Sequence, residues 1–252
     1  MIVDCNCMLG PWPFRKVPHS DADGLIGLMD GYGITQAWVG AVEGIFYRDM
    51  AAANDGLLER TGGHEDRLVP WAVINPAFPG WEEDLQAAEV GGFVGLRLYP
   101  NYHGYELTDA CVPDLLGAAQ ALHWPVAIYH KVQDERLHHW RMPVPPVDFA
   151  GLKGLVERFP GLPLLIMGQT AQFAAQHAGI FAEANVYLDI SRCEGLAGVA
   201  DMARAVGANR VLFGSHAPFF YLEAAVLKIQ EAGLTEAERK LILHGNAGRV
   251  LG

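Results

Sequence analysis

Eight short apolar runs recur along the chain, and longer segments with the periodicity of amphipathic helices separate them. The runs are nearly continuous in hydrophobic residues, which is typical of parallel strands covered by helices. One intervening segment places Leu25, Leu28, Met29 and Tyr32 at helical spacing. The runs cover residues 2–6, 36–42, 68–75, 93–100, 125–132, 163–168, 186–191 and 210–215. This alternation restricts the chain to α/β folds in which helices cover a parallel sheet.

Eight strand–helix units predict a (β/α)8 TIM barrel. We expect a single domain over residues 1–252, with an extra C-terminal helix from about Thr235 to the end. A doubly wound open sheet is the alternative, but it normally carries a glycine-rich turn after its first strand. Residues 9–13 read Leu-Gly-Pro-Trp-Pro instead, which favours the barrel. Gly33, Gly161 and Gly233 are predicted to end helices in left-handed caps.

The composition predicts a folded, soluble, cytoplasmic protein. Hydrophobic residues make up 51% and charged residues 19% of the chain, which excludes intrinsic disorder. A formal charge of −11 without a basic run argues against nucleic-acid and anionic membrane partners. Four cysteines do not make a disulfide framework, and the chain shows no signal peptide. No apolar stretch approaches the roughly 18 residues of a membrane span. A small molecule is therefore the expected partner.

Polar side chains follow several of the predicted strands. The active site of a TIM barrel lies at the carboxyl ends of its strands. His130 and His216 end the fifth and eighth runs, and imidazoles, with an ordinary pKa of about 6.5, suit acid–base chemistry. They are candidate catalytic residues, together with Asp134 in the loop after the fifth run. The side chains expected to bind substrate are Asn6, Arg97, Tyr99, Asn101, His103, Arg136, Gln169 and Arg192.

Three loops beyond the strand ends are rich in aromatic residues, at 10–15, 44–47 and 99–105. They suit a planar or sugar-like organic ligand held between apolar walls. The alternatives are plain packing of loops over the barrel and the interface of a homo-oligomer. The loop that carries Asp134 and Arg136 is either solvated surface or part of the site. In the second case Arg136 would hold a carboxylate or phosphate through two hydrogen bonds.

Five segments in a fixed order carry a resemblance to a known family. They are Ile2-Val3-Asp4 followed by Gly10, Val-Gly-Leu-Arg-Leu-Tyr-Pro at 94–100, Pro-Val-Ala-Ile-Tyr-His at 125–130, Val-Leu-Phe-Gly-Ser at 211–215 ahead of Ala217-Pro218, and Leu-His-Gly-Asn-Ala-Gly-Arg-Val-Leu-Gly at 243–252. Together they resemble the amidohydrolase superfamily, in particular its amidohydrolase-related branch of decarboxylases, lactonases and small-ring hydrolases. The resemblance implies a TIM barrel and chemistry on a small molecule.

The resemblance also implies a divalent-metal site whose first strand ends in His-x-His. The matching positions here are Asn6 and Met8, and an amide or a thioether is a poor ligand for zinc or manganese. The family's strand-six histidine falls at Gly168 or Gln169, and its strand-eight aspartate falls at His216. We therefore expect the usual metal site to be absent and no cofactor to be needed.

A reconstructed metal site is the alternative, since His130 matches the family's strand-five histidine. His130 and His216, joined by Cys5 or Cys7, are a legitimate ligand set for zinc or another divalent metal. Strand alternation opposes the cysteines, because residues two apart share a face. If Asn6 points into the barrel, both sulfur atoms point toward the helices.

The leading functional hypothesis is an amidohydrolase-like hydrolase or carbon–carbon lyase that acts without the usual metal. Its substrate is a small polar molecule, anionic or sugar- or ring-type. His216 would be the general acid or base, His130 its partner across the mouth, and Arg97, Arg136 or Arg192 the anion ligand. Two alternatives stay open. One is a metal-dependent hydrolase or decarboxylase with a reduced site on His130 and His216, and the other is a non-catalytic protein that binds a small molecule.

Overall fold

The protein is described by a computed structural model that covers residues 1–183, 185–195 and 197–252, without the side chain of Glu183. Its strands are parallel and agree in position with the eight predicted runs, the third of which is split in two. The strands are β1 (Val3–Leu9), β2 (Gln36–Ala41), β3 (Leu68–Pro70), β4 (Ala72–Val73), β5 (Leu96–Leu98), β6 (Val126–Tyr129), β7 (Leu164–Met167), β8 (Val186–Asp189) and β9 (Val211–Leu212).

Helices follow the strands and cover the outside of the sheet. The α-helices are α1 (Ala22–Tyr32), α2 (Ala51–Thr61), α3 (Trp81–Val90), α4 (Pro100–His103), α5 (Cys111–Ala121), α6 (Leu152–Arg158), α7 (Ala171–Gln176), α8 (Ala178–Glu183), α9 (Gly198–Val206), α10 (Leu222–Glu231), α11 (Glu236–Lys240) and α12 (Asn246–Leu251). Short 3-10 turns cover Glu43–Ile45, Glu135–Leu137 and Ala208–Arg210, and a π-helical turn, Leu241–Gly245, joins α11 to α12. In the described residues no helix is long and apolar enough to cross a membrane.

The strands close into the predicted TIM barrel. They pair in the order β1-β2-β3 and β4-β5-β6-β7-β8-β9, with β3 and β4 separated by Trp71. The Trp71 amide donates to the Val39 carbonyl at 2.8 Å, which joins β4 to β2. The Met8 amide donates to the Ala217 carbonyl at 2.9 Å, which joins β1 to the segment after β9. The first and last strands are therefore neighbours around the barrel.

Alternation along each strand separates the barrel interior from the layer under the helices. In β5, Leu96 and Leu98 pack in the outer core, whereas Arg97 and the following Tyr99 point into the barrel. Both inward side chains are fully buried. Because successive residues of a strand face opposite sides, each strand places its last inward side chain at the mouth of the barrel.

A bulge in β1 changes the expected orientation of the cysteines. The pairing register with β2 shifts between Asp4 and Cys7, so one extra residue of β1 faces its neighbour. Cys5 consequently packs among the side chains inside the barrel, and Cys7 packs in the layer between the strands and the helices. The expectation that both sulfur atoms share one face is wrong, because strict alternation does not survive the bulge.

Two of the three glycines predicted to end helices have the left-handed backbone conformation. Gly33 and Gly233 have positive φ angles of 69° and 63°, as predicted for left-handed caps. Gly161 does not have a positive φ, since α6 already ends at Arg158. The extra C-terminal helix is confirmed: Thr235 caps α11 in a capping box with Glu238.

Candidate active site

Five buried side chains at the end of the barrel form what we call the polar cluster: Asn6, Arg97, Tyr129, Asp189 and His216. Asn6 lies at its centre. Its Nδ2 donates to Asp189 Oδ2 at 2.8 Å, and its Oδ1 accepts from the Tyr129 hydroxyl at 2.8 Å. The same Oδ1 lies 3.2 Å from Nδ1 of His216. One amide therefore links side chains from four different strands or strand ends.

His216 is held in a fixed and strained position. Its φ angle of 63° is unusual for a side chain with a Cβ, and only 2% of the residue is exposed. Its Nε2 lies 2.5 Å from the Val132 carbonyl oxygen. The rings of Phe219 and Phe220 cover it, with centroids 5.4 and 4.9 Å away. Burial, and then the positive charge of Arg192, lower the pKa of His216 to about 3.

Asp189 is fixed mainly by main-chain donors. Its Oδ1 accepts from the Gly168 amide at 2.6 Å, and its Oδ2 accepts from the Ser191 amide at 3.3 Å as well as from Asn6. Gly214 lies against it, and a Cβ there would be 2.9 Å from Oδ2. The ordered carboxylate in turn fixes the orientation of the Asn6 amide, because only the NH₂ end can donate to it.

The charged guanidinium of Arg97 is buried inside the barrel and does not reach the surface of the mouth. Its Nη1 donates to the Cys7 carbonyl at 2.8 Å and its Nη2 to the Trp38 carbonyl at 2.6 Å. Its guanidinium carbon lies 5.7 Å from the centre of the Tyr129 ring. Gly40 leaves room for the arginine stem, since a Cβ there would be 2.6 Å from Cδ. The sequence predicts that Arg97 binds substrate, and in the structure its terminal nitrogens bind strand carbonyls.

Three other side chains form what we call the donor group: Gln169, Ser191 and Arg192, at the ends of β7 and β8. Gln169 Nε2, Ser191 Oγ and Arg192 Nη2 are buried and have no hydrogen-bond partner among the described residues. Gly168, at φ 74°, lies beside the Arg192 side chain. Buried donors are nearly always satisfied in folded proteins. Each of these donors is therefore available to an acceptor that a ligand supplies, such as a carboxylate.

The structure does not bring His130 and His216 into hydrogen-bond contact. Tyr129 takes the inward position at the end of β6, so the His130 ring turns outward. Its Nδ1 lies 3.3 Å from the Val147 carbonyl oxygen, in the loop that precedes α6. Burial, with the nearby charge of Lys131, lowers the pKa of His130 to about 4. The two imidazoles are therefore not hydrogen-bonded to each other, and the acid–base roles predicted for them stay predictions.

Asp134 and Arg136 bind each other. Nε and Nη2 of Arg136 donate to the two carboxylate oxygens of Asp134 at 2.8 and 2.7 Å. These hydrogen bonds lower the pKa of Asp134, and the Arg136 side chain is 87% exposed. The pair lies on the loop after β6, outside the polar cluster.

The other predicted residues near α4 tie neighbouring loops together. Tyr99 packs against Tyr129, with ring centroids 4.7 Å apart. Asn101 donates through Nδ2 to the Pro145 carbonyl at 2.9 Å. His103 Nε2 lies 2.9 Å from the Gly44 carbonyl oxygen, and burial lowers the pKa of this histidine to about 4. These contacts fix the loops beside the mouth.

Tyr129, Asp189 and Ser191 join the site although their side chains were not among the predicted site residues. The signal for Tyr129 was strand alternation, because it precedes His130 by one residue and so faces the opposite side. Asp189 and Ser191 end the seventh apolar run, two residues apart, which is the position from which side chains reach the mouth.

The barrel and its mouth define a protein of the TIM-barrel enzyme class with a buried polar site at the strand ends. Residues 9–252 match the family model described as Amidohydrolase. The chain therefore belongs to the amidohydrolase family, as the sequence segments indicated. Membership of this family supports the prediction of an enzyme, either a hydrolase or a carbon–carbon lyase. No curated protein matches the chain.

Solved structures similar to this chain include decarboxylases of aromatic acids. A 2,6-dihydroxybenzoate decarboxylase from Rhizobium has a TM-score of 0.75 and 18% identity over 100% of this chain and 99% of that chain. A dihydroxybenzoic acid decarboxylase from Polaromonas sp. JS666, with manganese and 2-nitroresorcinol bound, has a TM-score of 0.70 and 21% identity, covering 91% and 85%. A 5-carboxyvanillate decarboxylase from Novosphingobium aromaticivorans, also with manganese, has a TM-score of 0.69 and 16% identity, covering 90% and 79%. At these identities the likeness establishes the fold.

The comparisons contradict the expectation that no cofactor is needed, because two of these similar proteins hold bound manganese. We tested whether the side chains of this chain fit such an ion. Within the described part of the chain, no group of three or more His, Cys, Asp and Glu side chains could hold a metal. Asn6 is engaged with Asp189 and Tyr129, and both nitrogen atoms of His216 lie near carbonyl oxygens. These residues do not fit a manganese site.

Proposed function

We propose that this protein is a carbon–carbon lyase, a decarboxylase that acts on a small anionic aromatic acid at the mouth of the barrel. One observation carries the proposal: three buried donors, on Gln169, Ser191 and Arg192, have no hydrogen-bond partner in the described part of the chain, and the charge of Arg192 acts on the buried His216. The decarboxylases among the similar structures support the same class of substrate for this chain.

The donor group is suited to hold the carboxylate of such a substrate. A guanidinium binds a carboxylate through charge-assisted hydrogen bonds, which are about twice as strong as neutral ones. Burial lowers the pKa of Arg192, although neighbouring carboxylates, Asp189 first, oppose this effect. A bound carboxylate would compensate the buried charge and satisfy the unpartnered amide and hydroxyl at the same time.

The apolar rings beside the donor group are suited to the aromatic part of the substrate. The guanidinium carbon of Arg192 lies 5.0 Å from the centre of the Phe220 ring. Phe219 and Phe220 also cover His216 and keep water from it. In a site of low polarity, electrostatic contacts to the substrate are stronger than in water.

His216 is the residue that we assign to proton transfer. Loss of carbon dioxide from an aromatic ring requires a proton at the carbon that carried the carboxylate. Nδ1, 3.2 Å from Asn6 Oδ1, is the less closely held of the two ring nitrogens. Arg192 is one of the charges that lower the His216 pKa, so a carboxylate bound to Arg192 would raise this pKa toward its usual value. Asn6, held by Asp189 and Tyr129, orients the ring.

The test is turnover of a panel of hydroxylated benzoates, followed by release of carbon dioxide. We expect His216→Asn to lower kcat by about 100-fold or more, the usual size of a general acid–base contribution. Asparagine accepts the positive φ angle at this position, so the variant should fold. Arg192→Ala should raise KM, and Arg192→Lys should recover part of the loss. Full turnover by His216→Asn, or wild-type kinetics in Arg192→Ala, would overturn the proposal.

A further inference from the structure

A separate cleft of about 410 Å³ opens to solvent above the covered polar cluster. Its apolar side is formed by Leu137, Phe219 and Phe220. Its polar side is formed by Arg15, in the loop after β1, and by Gln133 and the Asp134–Arg136 pair, in the loop after β6. Neither His216 nor any residue of the donor group lines it.

The cleft is separated from His216 by two phenyl rings. Phe219 and Phe220 line the cleft and also pack against the imidazole, with centroids 5.4 and 4.9 Å away. Their amides both donate to the His216 carbonyl, at 3.0 and 3.2 Å, which keeps them next to it. On the other side, Val132 accepts from His216 while the next residue, Gln133, lines the cleft. A ligand in the cleft is therefore one side-chain layer away from the imidazole.

The charges of the cleft favour an anion. Arg15 is exposed and has no carboxylate partner in the part of the chain that the structure describes. The charge of Arg136 is compensated by Asp134, so Arg15 leaves the cleft with one net positive charge. Gln133, which is only 4% exposed, adds an amide to the polar side of the cleft. This local charge stands out in a chain with a formal net charge of −11.

We propose that this cleft is an entrance subsite that holds a planar aromatic carboxylate before it passes Phe219 and Phe220. The ring would lie against the two phenyl rings and Leu137, and the carboxylate would meet Arg15 and the amide of Gln133. A cavity of this volume is within the range of small-molecule sites, roughly 300–1,000 Å³. The subsite takes the ligand class of the proposed function, but its occupation does not depend on turnover.

Salicylate, titrated calorimetrically, is the probe. The inner donor group is first disabled with Arg192→Ala, so that the remaining binding reports the cleft. In this background we expect salicylate to bind, and Arg15→Ala to weaken the binding about tenfold. Lys16→Ala removes the same charge from the neighbouring residue, which does not line the cleft. It should change the affinity less than twofold.

The outcomes separate the subsite from the proposed function. Salicylate binding that survives Arg192→Ala and is lost with Arg15→Ala supports the subsite, even if no benzoate is turned over. Loss of all binding in Arg192→Ala would place the ligand at the donor group alone and overturn the subsite. Equal effects of Arg15→Ala and Lys16→Ala would also overturn it, since they would report only the general charge of the loop.

Discussion

The polar cluster and the donor group lie at the same end of the barrel but differ in how their hydrogen bonds are satisfied. Arg97, in the polar cluster, places both terminal nitrogens on strand carbonyls at 2.8 and 2.6 Å. Arg192, in the donor group, leaves Nη2 buried without a partner among the described residues. Arg97 lies within β5, whereas Arg192 lies in the loop that follows β8. Arg97 Nε is also buried without a partner among the described residues, so the two side chains differ at their terminal nitrogens. Those of Arg97 bind strand carbonyls, whereas Nη2 of Arg192 is available to a ligand.

The difference has a consequence for stability and for binding. Removing a donor from a satisfied pair leaves a buried acceptor without its partner, which costs the full desolvation of that group. Removing an unpartnered donor has no such cost and can even relieve one. Substitutions that remove a hydrogen-bond partner in the polar cluster should therefore lower the free energy of unfolding, whereas substitutions in the donor group should mainly change ligand affinity.

The largest effect is expected for Arg97→Met. It retains much of the side-chain volume but leaves the Cys7 and Trp38 carbonyls without their donor. At roughly 1–3 kcal/mol for each buried unsatisfied group, the loss of unfolding free energy should be about 4 kcal/mol. Chemical denaturation of Arg97→Met, compared with that of Arg192→Met, measures this loss of unfolding free energy. Equal losses in the two variants would remove the distinction between the two regions.

The next largest effect is expected for Asn6→Asp, which should lower the free energy of unfolding by on the order of 3 kcal/mol at neutral pH. The new carboxylate would face Asp189, whose Oδ2 is 2.8 Å from the present amide nitrogen. One of the two acids must then take up a proton, so its folded pKa lies above its unfolded value. Stability should consequently rise again as the pH falls through that folded pKa. Asn6→Ala is the control, and it should show no such recovery in denaturation curves between pH 7 and 4.

Gly214→Ala tests how tightly the polar cluster is packed. The added Cβ would lie 2.9 Å from Asp189 Cβ and Oδ2, and 3.1 Å from Asn6 Cβ. Overpacking of this kind costs about 1–3 kcal/mol. Gly154→Ala is the matched control in α6, where an added Cβ meets nothing within 4 Å. It should stabilise the protein by roughly 0.5–1 kcal/mol. A thermal shift of equal sign in both variants would contradict the packing seen around Asp189.

The pH dependence of stability should report the buried imidazole of the polar cluster. The folded pKa of His216 is lowered from 6.5 to about 3, so the unfolded chain binds one more proton between these values. Stability should therefore be complete above about pH 6.5 and fall with the pH, by about 1.4 kcal/mol per pH unit for this proton. His216→Asn should reduce the slope by that amount, measured by urea denaturation from pH 7 to 4. An unchanged slope would mean that His216 is not buried in its neutral form.

The smallest effect on stability is expected for Arg192→Ala, within about 0.5 kcal/mol. Its effect should appear in binding instead. Affinity for a benzoate should fall about tenfold, or 1.4 kcal/mol, because the carboxylate loses a charged donor. Calorimetric titration combined with a thermal melt separates the two quantities. A large loss of stability with unchanged affinity would assign Arg192 to the same structural role as Arg97.

Much of the barrel was predictable from local pattern. All eight apolar runs form strands, and Thr235 begins the final helix as expected. The exceptions have local causes in three dimensions. The third run is split at Trp71, and the bulge in β1 turns Cys5 inward although alternation had placed it outside. A bulge changes which residues face inward without changing the hydrophobic content of the strand, so the pattern does not reveal it.

The site was predictable as a position but not as a set of contacts. Asn6 lies within β1, and Gln169, Arg192 and His216 follow the ends of β7, β8 and β9. Whether such a side chain bonds to the protein depends on acceptors from strands distant in sequence, as for Asn6 and Asp189, which are 183 residues apart. His130 shows the same dependence, since its Nδ1 lies 3.3 Å from the Val147 carbonyl oxygen.

The sequence by itself determined the class of fold and the family, and it predicted the end of the barrel at which the chemistry takes place. These follow from periodicity and from the order of short segments, which are properties of the chain. The tertiary structure alone decided the roles of the polar side chains. It placed the two terminal nitrogens of Arg97 on carbonyls of two other strands, and in the described part of the chain it left Gln169 Nε2, Ser191 Oγ and Arg192 Nη2 without a partner. The physical reason is that a hydrogen bond needs a partner within about 3 Å, and only the closed barrel sets those distances.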